Sequence, residues 1–366
     1  MSKQINLVKL ENTDKMIQYI PYHKDMITIS YNEFKGITTA SFYNINNHSL
    51  TFSFSIEFNN SQIYDQWQIY NSKSNTLYLI GYMNEYKEFL EKKENKKLGI
   101  FLLDISKRNI EKIRSYKYNH FIIDKNTDKI FITNNGAIIA YDFGTNISKE
   151  KSINQTQTFY EKFILVGDWV LLLKMEEVLK WMIGVKETII VDKNLANIIR
   201  KKTKPYEFII GDYNCYGFIN YKESFVKISD NKYFIYFDNC SEGINFYFSE
   251  INIKGNEHIL TDEKKLPDLF DEKVLEIKEK ITFNISLISL DDKNFVINLD
   301  NNIFYICDAE NLTTKTKIDL NLPLNNSIQN NKIEEKDKLL SVKIQGGYYE
   351  FIFITKNNEI KFISNK

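Results

Sequence analysis

His120-Phe-Ile-Ile-Asp-Lys-Asn-Thr-Asp-Lys-Ile-Phe-Ile-Thr-Asn-Asn-Gly-Ala-Ile-Ile-Ala-Tyr-Asp142 holds three short apolar runs parted by turn formers. Runs of β-branched and aromatic residues alternate in it with turn formers at close spacing. His120–Asp124 reads as a strand, Asp124–Asp128 as a turn and Lys129–Thr133 as a second strand. Asn134-Asn135-Gly136 has the chemistry of a tight hairpin turn, because Asn and Gly tolerate positive φ. Ala137–Asp142 is a third strand, and Lys149–Gln155 supplies a weaker fourth. The stretch 119–155 is therefore an antiparallel meander of four strands.

The same grammar recurs in both directions. In 281–320, Ile281–Ser289, Phe295–Leu299, Ile303–Asp308 and Thr314–Leu320 are four strands separated by Asp291-Asp292-Lys293 and Asp300-Asn301-Asn302. Third strands end in apolar residues followed by Asp: Leu103-Asp104, Tyr141-Asp142, Val191-Asp192 and Cys307-Asp308. Laid over the chain, the unit gives copies at 16–56, 65–114, 119–155, 159–203, 222–261, 281–320 and 336–364. The last has three convincing strands, and Ile5–Leu10 is a spare strand at the other end of the chain.

Recurrence of a four-stranded unit at about 40–50 residues resembles the β-propeller superfamily, with WD40-like or Kelch-like architecture. The expectation is an all-β chain forming a single β-propeller domain over 1–366, with about seven four-stranded blades. Pairing of the N-terminal strand, about 5–10, with the C-terminal blade would close it and remove free sheet edges. The resemblance stops at the architecture. The Gly-His and Trp-Asp dipeptides of WD40 repeats are absent, Gly346-Gly347 is the lone Kelch-like pair, and the Asp-box of sialidases is missing. It carries no functional residue over. Two β-sandwiches in tandem or a large irregular barrel remain the alternative layouts.

Composition narrows the function classes. The 366 residues hold 48 Lys+Arg and 48 Asp+Glu, so the net charge is zero and exerts no general pull on nucleic acid or anionic lipid. Arg108, Arg114 and Arg200 are the arginines, which weakens any case for a phosphate or base reader. Cys215, Cys240 and Cys307 lack C-x-x-C spacing, so neither a disulfide framework nor a zinc cage is indicated. The N-terminus has no apolar secretory core, and Phe163–Leu173 is too short and interrupted to span a bilayer. These features point to a cytoplasmic protein with no cofactor, no metal, no nucleic acid and no membrane among its partners.

Insertions between strands carry the functional signal, because loops on a rigid scaffold bear binding surfaces. Segment 83–97 has strong helix formers with Glu88 spaced from Glu91 and Lys92 at helical intervals. In 174–186, Met175, Val178, Leu179 and Met182 share one helical face, with Trp181 beside it. Segment 204–221 is an aromatic hairpin, and 262–280 has Pro267 placed for a helical first turn. The first two fall between second and third strands, and the last two between blades. A meander brings both loop types out at the same end.

The reading is a non-catalytic scaffold that binds a protein through this elaborated face, as a complex subunit or a toxin inhibitor. Trp181, Met182, Tyr206, Phe208, Tyr213 and Phe218 are the candidate anchors, since aromatics and Met favour interface cores. The alternative is an enzyme or small-ligand binder at the central channel. No H-E-x-x-H, Walker, Rossmann or G-x-S-x-G pattern supports it, and His23, His48, His120 and His258 show no ligand spacing. No catalytic residue is assigned.

Overall fold

The computed structural model describes residues 4–9, 15–22, 25–32, 37–44, 50–57, 61–63, 68–85, 97–104, 106–107, 109–117, 120–134, 136–153, 160–179, 182–202, 209–212, 226–228, 232–240, 243–254, 257–260, 264–265, 286–291, 293–298, 303–320, 338–345, 348–354 and 359–364. They form strands and turns, and no helix occurs among them.

Strand β1 (Gln4–Lys9) stands apart from the sheet that follows it. Sheet 1 is the meander β2 (Lys15–Tyr22), β3 (Asp25–Asn32), β4 (Ile37–Asn44) and β5 (Leu50–Glu57). Sheet 2 contains β6 (Ser61–Ile63), β7 (Gln68–Asn71), β8 (Leu77–Glu85), β9 (Lys97–Asp104) and β10 (Asn109–Lys117). Sheet 3 is β11 (His120–Asp124), β12 (Lys129–Thr133), β13 (Ala137–Asp142) and β14 (Ile147–Ser152). Sheet 4 contains β15 (Tyr160–Val166), β16 (Trp169–Leu179), β17 (Met182–Asp192), β18 (Ile198–Lys202) and β19 (Ile209–Asp212). Sheet 5 contains β20 (Val226–Lys227), β21 (Lys232–Cys240), β22 (Gly243–Lys254), β23 (Glu257–Leu260) and β24 (Lys264–Lys265). Sheet 6 is β25 (Ser286–Ser289), β26 (Asn294–Asn298), β27 (Ile303–Asp308) and β28 (Thr313–Asp319). Sheet 7 joins β29 (Lys338–Gln345), β30 (Tyr348–Ile354) and β31 (Glu359–Ser364) to β1, in the order β1-β31-β30-β29.

The spare N-terminal strand is thus the fourth strand of the last sheet, in register from Gln4↔Ser364 to Lys9↔Glu359. First strands of successive sheets also touch: β2 with β7, β11 with β15, β20 with β25. Strand β29 of sheet 7 meets β2 of sheet 1 in the same way.

Hydrophobic cores lie between sheets rather than within one. Strands buried on both faces read as continuous apolar runs, as Leu-Leu-Leu in β16 and Ile-Phe-Ile in β12 do. Ile130 and Ile132 of β12 face sheet 2, where they meet Tyr78, Ile80 and Ile100. Phe131, between them in sequence, faces sheet 4 and meets Val170, Leu172 and Val191. Alternate side chains of a strand point to opposite faces, so one strand serves two cores. Between sheets 6 and 7, Phe304 stacks on Phe351 with ring centroids 4.3 Å apart.

Two local expectations change. Segment 174–186 is not a helix. Its described residues, 174–179 and 182–186, continue β16 and β17 as paired strands, with Met175 opposite Val185, Glu176 opposite Gly184 and Glu177 opposite Ile183. The apolar spacing that suggested a helical stripe is overridden by antiparallel pairing of 175–179 with 182–185, which extends the ladder that Val170–Leu173 forms with the β-branched run Thr188–Val191. The turn after β12 also works differently. Gly136 does not take positive φ; instead the Asn134 side chain accepts the amides of Gly136 (3.1 Å) and Ala137 (2.8 Å). Left-handed backbone is found elsewhere, at Gly167 (φ 52) in the two-residue turn between β15 and β16. The helical readings of 83–97 and 262–280 fall on residues 86–96 and 266–280, outside the described residues; 83–85 belong to β8 and 264–265 to β24.

Candidate functional site

Sheets 4 and 5 carry a second-to-third-strand hairpin longer than its flanks, and in sheet 2 the second strand outruns the first. In sheet 4, β15 accompanies β16 as far as Met175, and β18 accompanies β17 only over Glu187–Val191. The hairpin runs on to Leu179 and Met182, a projection of about 13 Å at about 3.3 Å per residue. Its bare outer edge is taken by β19, which pairs Met182 with Asp212 and Gly184 with Ile209. Sheet 5 repeats the device: β23 pairs with β22 over Ile251–Lys254, and β24 pairs with it over Tyr247–Phe248. In sheet 2, β7 pairs with β8 over Leu77–Ile80, while β6 pairs further along, at Met83–Glu85.

Strands β6, β19 and β24 all come from connections between sheets. Each docks at the second-to-third-strand end of its own sheet. That is the result expected of a meander, in which those two connections emerge together. Strand β19 also lies against β21, so it bridges the raised hairpins of sheets 4 and 5.

The root of the sheet 4 hairpin is polar. Lys174, 2% exposed, reaches Glu187 at 3.3 Å, and Arg200 Nη1 approaches the other Glu187 oxygen at 3.5 Å. A register shift between Lys174 and Met175 marks where the projecting part begins, and such bulges bend and re-aim a hairpin.

Of the candidate anchors, Met182 is the first residue of β17 and pairs with Leu179 and Asp212. Trp181, Tyr206, Phe208, Tyr213 and Phe218 lie outside the described residues. The structure does bring two of the expected insertions together, because β19 belongs to 204–221 and β17 begins within 174–186.

The opposite ends of the sheets are trimmed to turns, and there the recurrent Asp residues act. Asp142 Oδ1 accepts the Thr145 amide (2.9 Å), and Asp308 Oδ1 accepts those of Glu310 and Asn311 (both 2.9 Å). Asp192 accepts the amides of Asn194, Ala196 and Asn197. Burial alone would raise the Asp192 carboxyl, but those amides hold it below the usual carboxylate range. Lys315 and the turn amides hold Asp308 down at about 2. These turns carry Asn146, Leu195 and Leu312 at positive φ, a geometry the capped Asp helps to impose.

Polar ties between sheets gather at the same ends. Tyr70 donates to Asp128 (2.6 Å), linking sheets 2 and 3. The buried Lys193 ammonium lies 2.7 Å from buried Asp124, linking sheets 4 and 3. Asp124 also accepts Thr127 Oγ1 (2.5 Å) and the Asn126 amide (3.1 Å). Burial pushes its carboxyl up, and these three donors, Lys193 foremost, bring it below the ordinary range. No sequence pattern singled out Lys193. A signal was available: Phe143, Lys193 and Ala309 each follow the recurrent Asp and are all buried. A lysine at a buried repeat position demands an acid.

Among the first strands, β7 carries Gln68 and Asn71 exposed, and β11 opens with half-buried His120. No group of three or more His, Cys, Asp or Glu converges among the described residues. Burial pushes the Cys307 thiol up to about 12, which removes it as a nucleophile at neutral pH. No helix among the described residues is long and apolar enough to cross a membrane.

No protein-family model matches the chain, and no curated protein matches it. Among solved structures it is similar to the β-propeller domain of the Trilobed protease from Pyrococcus furiosus, at 10% identity and a TM-score of 0.50. That match covers 96% of this chain and 93% of that one. It is also similar to the β-propeller domain of Cps50 (Swd1) from Myceliophteria thermophila, at 9% identity and a TM-score of 0.47, covering 99% and 100%. The fold is that of a β-propeller. The Pyrococcus domain has an open velcro topology; in this chain β1 and β31 pair.

Proposed function

We propose that this propeller is a non-catalytic protein-interaction scaffold, a single domain closed through β1, that grips a protein partner with its elaborated face. One observation carries the reading. Sheets 4 and 5 raise hairpins at the same end, where β8 of sheet 2 also outruns its first strand, and each of the three is buttressed by an extra strand from a connection between sheets. A scaffold without a partner on that face gains nothing from stiffened projections, whereas binding surfaces gain affinity from preorganisation. Trp181, Met182, Tyr206, Phe208, Tyr213 and Phe218 are the anchors. Their aromatic and thioether side chains suit a desolvated interface core. The partner is a protein, as a subunit of the same complex or a toxin held inactive, and the setting is the cytoplasm.

The test is capture from the native cell extract with the full chain and with a variant in which 176–185 is replaced by a two-residue turn. The full chain retains one protein in stoichiometric amount, and the shortened variant, still folded by circular dichroism, loses it. Equal retention by both, or no stoichiometric protein in replicate captures, overturns the proposal.

A further inference from the structure

The core between sheets 3 and 4 opens to the surface at its outer, tight-turn corner. A groove of about 270 Å³ lies there, with Ala140 and Ile147 as its apolar floor and Lys129, Asp142 and Lys149 around it. Cross-strand register explains the grouping. Asp142 stands opposite both Lys129 and Ile147, and Ala140 opposite Lys149, so all five share the face of sheet 3 turned toward sheet 4. Lys193, in the turn after β17, forms the facing wall. Ile147 is 59% exposed, the one large hydrophobic so exposed among the described residues.

The charges around this floor are not equivalent. Lys193 is committed to Asp124, and Asp142 turns one oxygen to the Thr145 amide. Lys129 and Lys149 make no ion pair or hydrogen bond among the described residues. The groove therefore offers an apolar patch flanked by two uncommitted ammonium groups.

We propose that this groove docks an extended acidic segment of a partner protein. An apolar side chain of that segment covers Ile147 and Ala140, and a neighbouring Asp or Glu carboxylate sits between Lys129 and Lys149. Charge complementarity selects the acid, because two uncommitted ammoniums outweigh one carboxylate. Strand β14 is the last strand of its sheet, pairing only with β13 among the described residues, so its outer edge offers backbone groups to an extended chain. This site is on the other face from the raised hairpins and stands or falls independently of them.

The test is fluorescence polarisation of the full chain with a labelled peptide, Asp-Glu-Leu-Asp-Phe-Glu-Asp, and with the same peptide carrying Ala for Leu and Phe. The first peptide binds saturably and loses affinity with added salt. Lys149→Glu and Ile147→Asp, both at exposed positions, each weaken it by about tenfold or more, equivalent to about 1.4 kcal/mol. Lys107→Glu, on an exposed turn of sheet 2, leaves affinity unchanged. Absence of saturable binding, equal binding of the Ala peptide, or indifference to Lys149→Glu overturns the proposal. So does a concentration-dependent dimer in sedimentation that Lys149→Glu abolishes, which would assign the groove to a second copy of the chain.

Discussion

Replacing Lys193 by Met removes the ammonium that neutralises Asp124 between sheets 3 and 4. Both side chains are below a tenth exposed, at 9% and 4%, and the pair is 2.7 Å apart. Removing one member of a buried pair strands the other charge in a low-dielectric site, which costs about 3–5 kcal/mol. Asp124 keeps two donors, Thr127 Oγ1 and the Asn126 amide, so the low end applies, about 3 kcal/mol at pH 7. In the natural chain the Asp124 carboxyl is held below its ordinary 3.8, so its stabilisation is complete above that value and fades as pH falls through the lowered one. In the variant, burial acts with less opposition and raises the carboxyl, so protonation relieves the stranded charge. The stability gap between the two proteins therefore narrows on acidification, beginning above the ordinary 3.8 and continuing down to the lowered value of the natural chain. Urea unfolding followed by tryptophan fluorescence at several pH values measures this, with the m value as a check that the unfolded state is unchanged. The double variant Lys193→Met with Asp124→Asn recovers more than half of the loss. Lys107→Met, at an ion pair with a 77% exposed lysine, leaves the midpoint in place. A loss under about 1 kcal/mol at pH 7, or a gap that widens in acid, would show that the pair does not act as a buried ion pair.

Phe304→Ala opens a cavity between sheets 6 and 7, where the ring packs on Phe351 and Phe353; the urea midpoint falls by the equivalent of about 3–5 kcal/mol. Asp308, held at about 2, contributes stability that is present above its ordinary 3.8 and lost as pH falls through about 2. An NMR titration of its carboxyl carbon checks the value, and Lys315→Ala moves it up toward the ordinary range. Deleting residues 1–9 bares the β31 edge and removes the pairing from Gln4↔Ser364 to Lys9↔Glu359. At about 1 kcal/mol net per hydrogen bond, several kcal/mol are lost and the exposed edge promotes aggregation, seen by light scattering.

Much of the architecture is readable in the chain because its determinants are local. In 120–142 continuous apolar runs too short for helices, with Asp and Asn at the turns, leave little choice. The four strands read in 119–155 are seen as β11 to β14, over His120–Ser152. The Asp that recurs after the third strands caps the following turn, as the amide bonds of Asp142 and Asp308 show. Reading went astray in 174–186. There Met175, Val178, Leu179 and Met182 satisfy a helical spacing by coincidence, and pairing to a neighbouring strand decides the outcome. The anchors proposed in 204–221 rest on aromatic composition, which says what a surface prefers to touch but not which way a side chain points.

What the sequence determined on its own is the repeat: short strands, turn chemistry, the recurrent Asp, and a spare strand at one end to match a missing strand at the other. These are set by interactions within a few residues of one another. Which residues meet across sheets follows from packing between them. Lys193 finds Asp124 from 69 positions away (193 − 124), and Tyr70 finds Asp128 across 58. Strands β6, β19 and β24 leave connections to brace hairpins of their own sheets. Burial and edge pairing select such contacts only once the sheets stand face to face, and no local spacing encodes them.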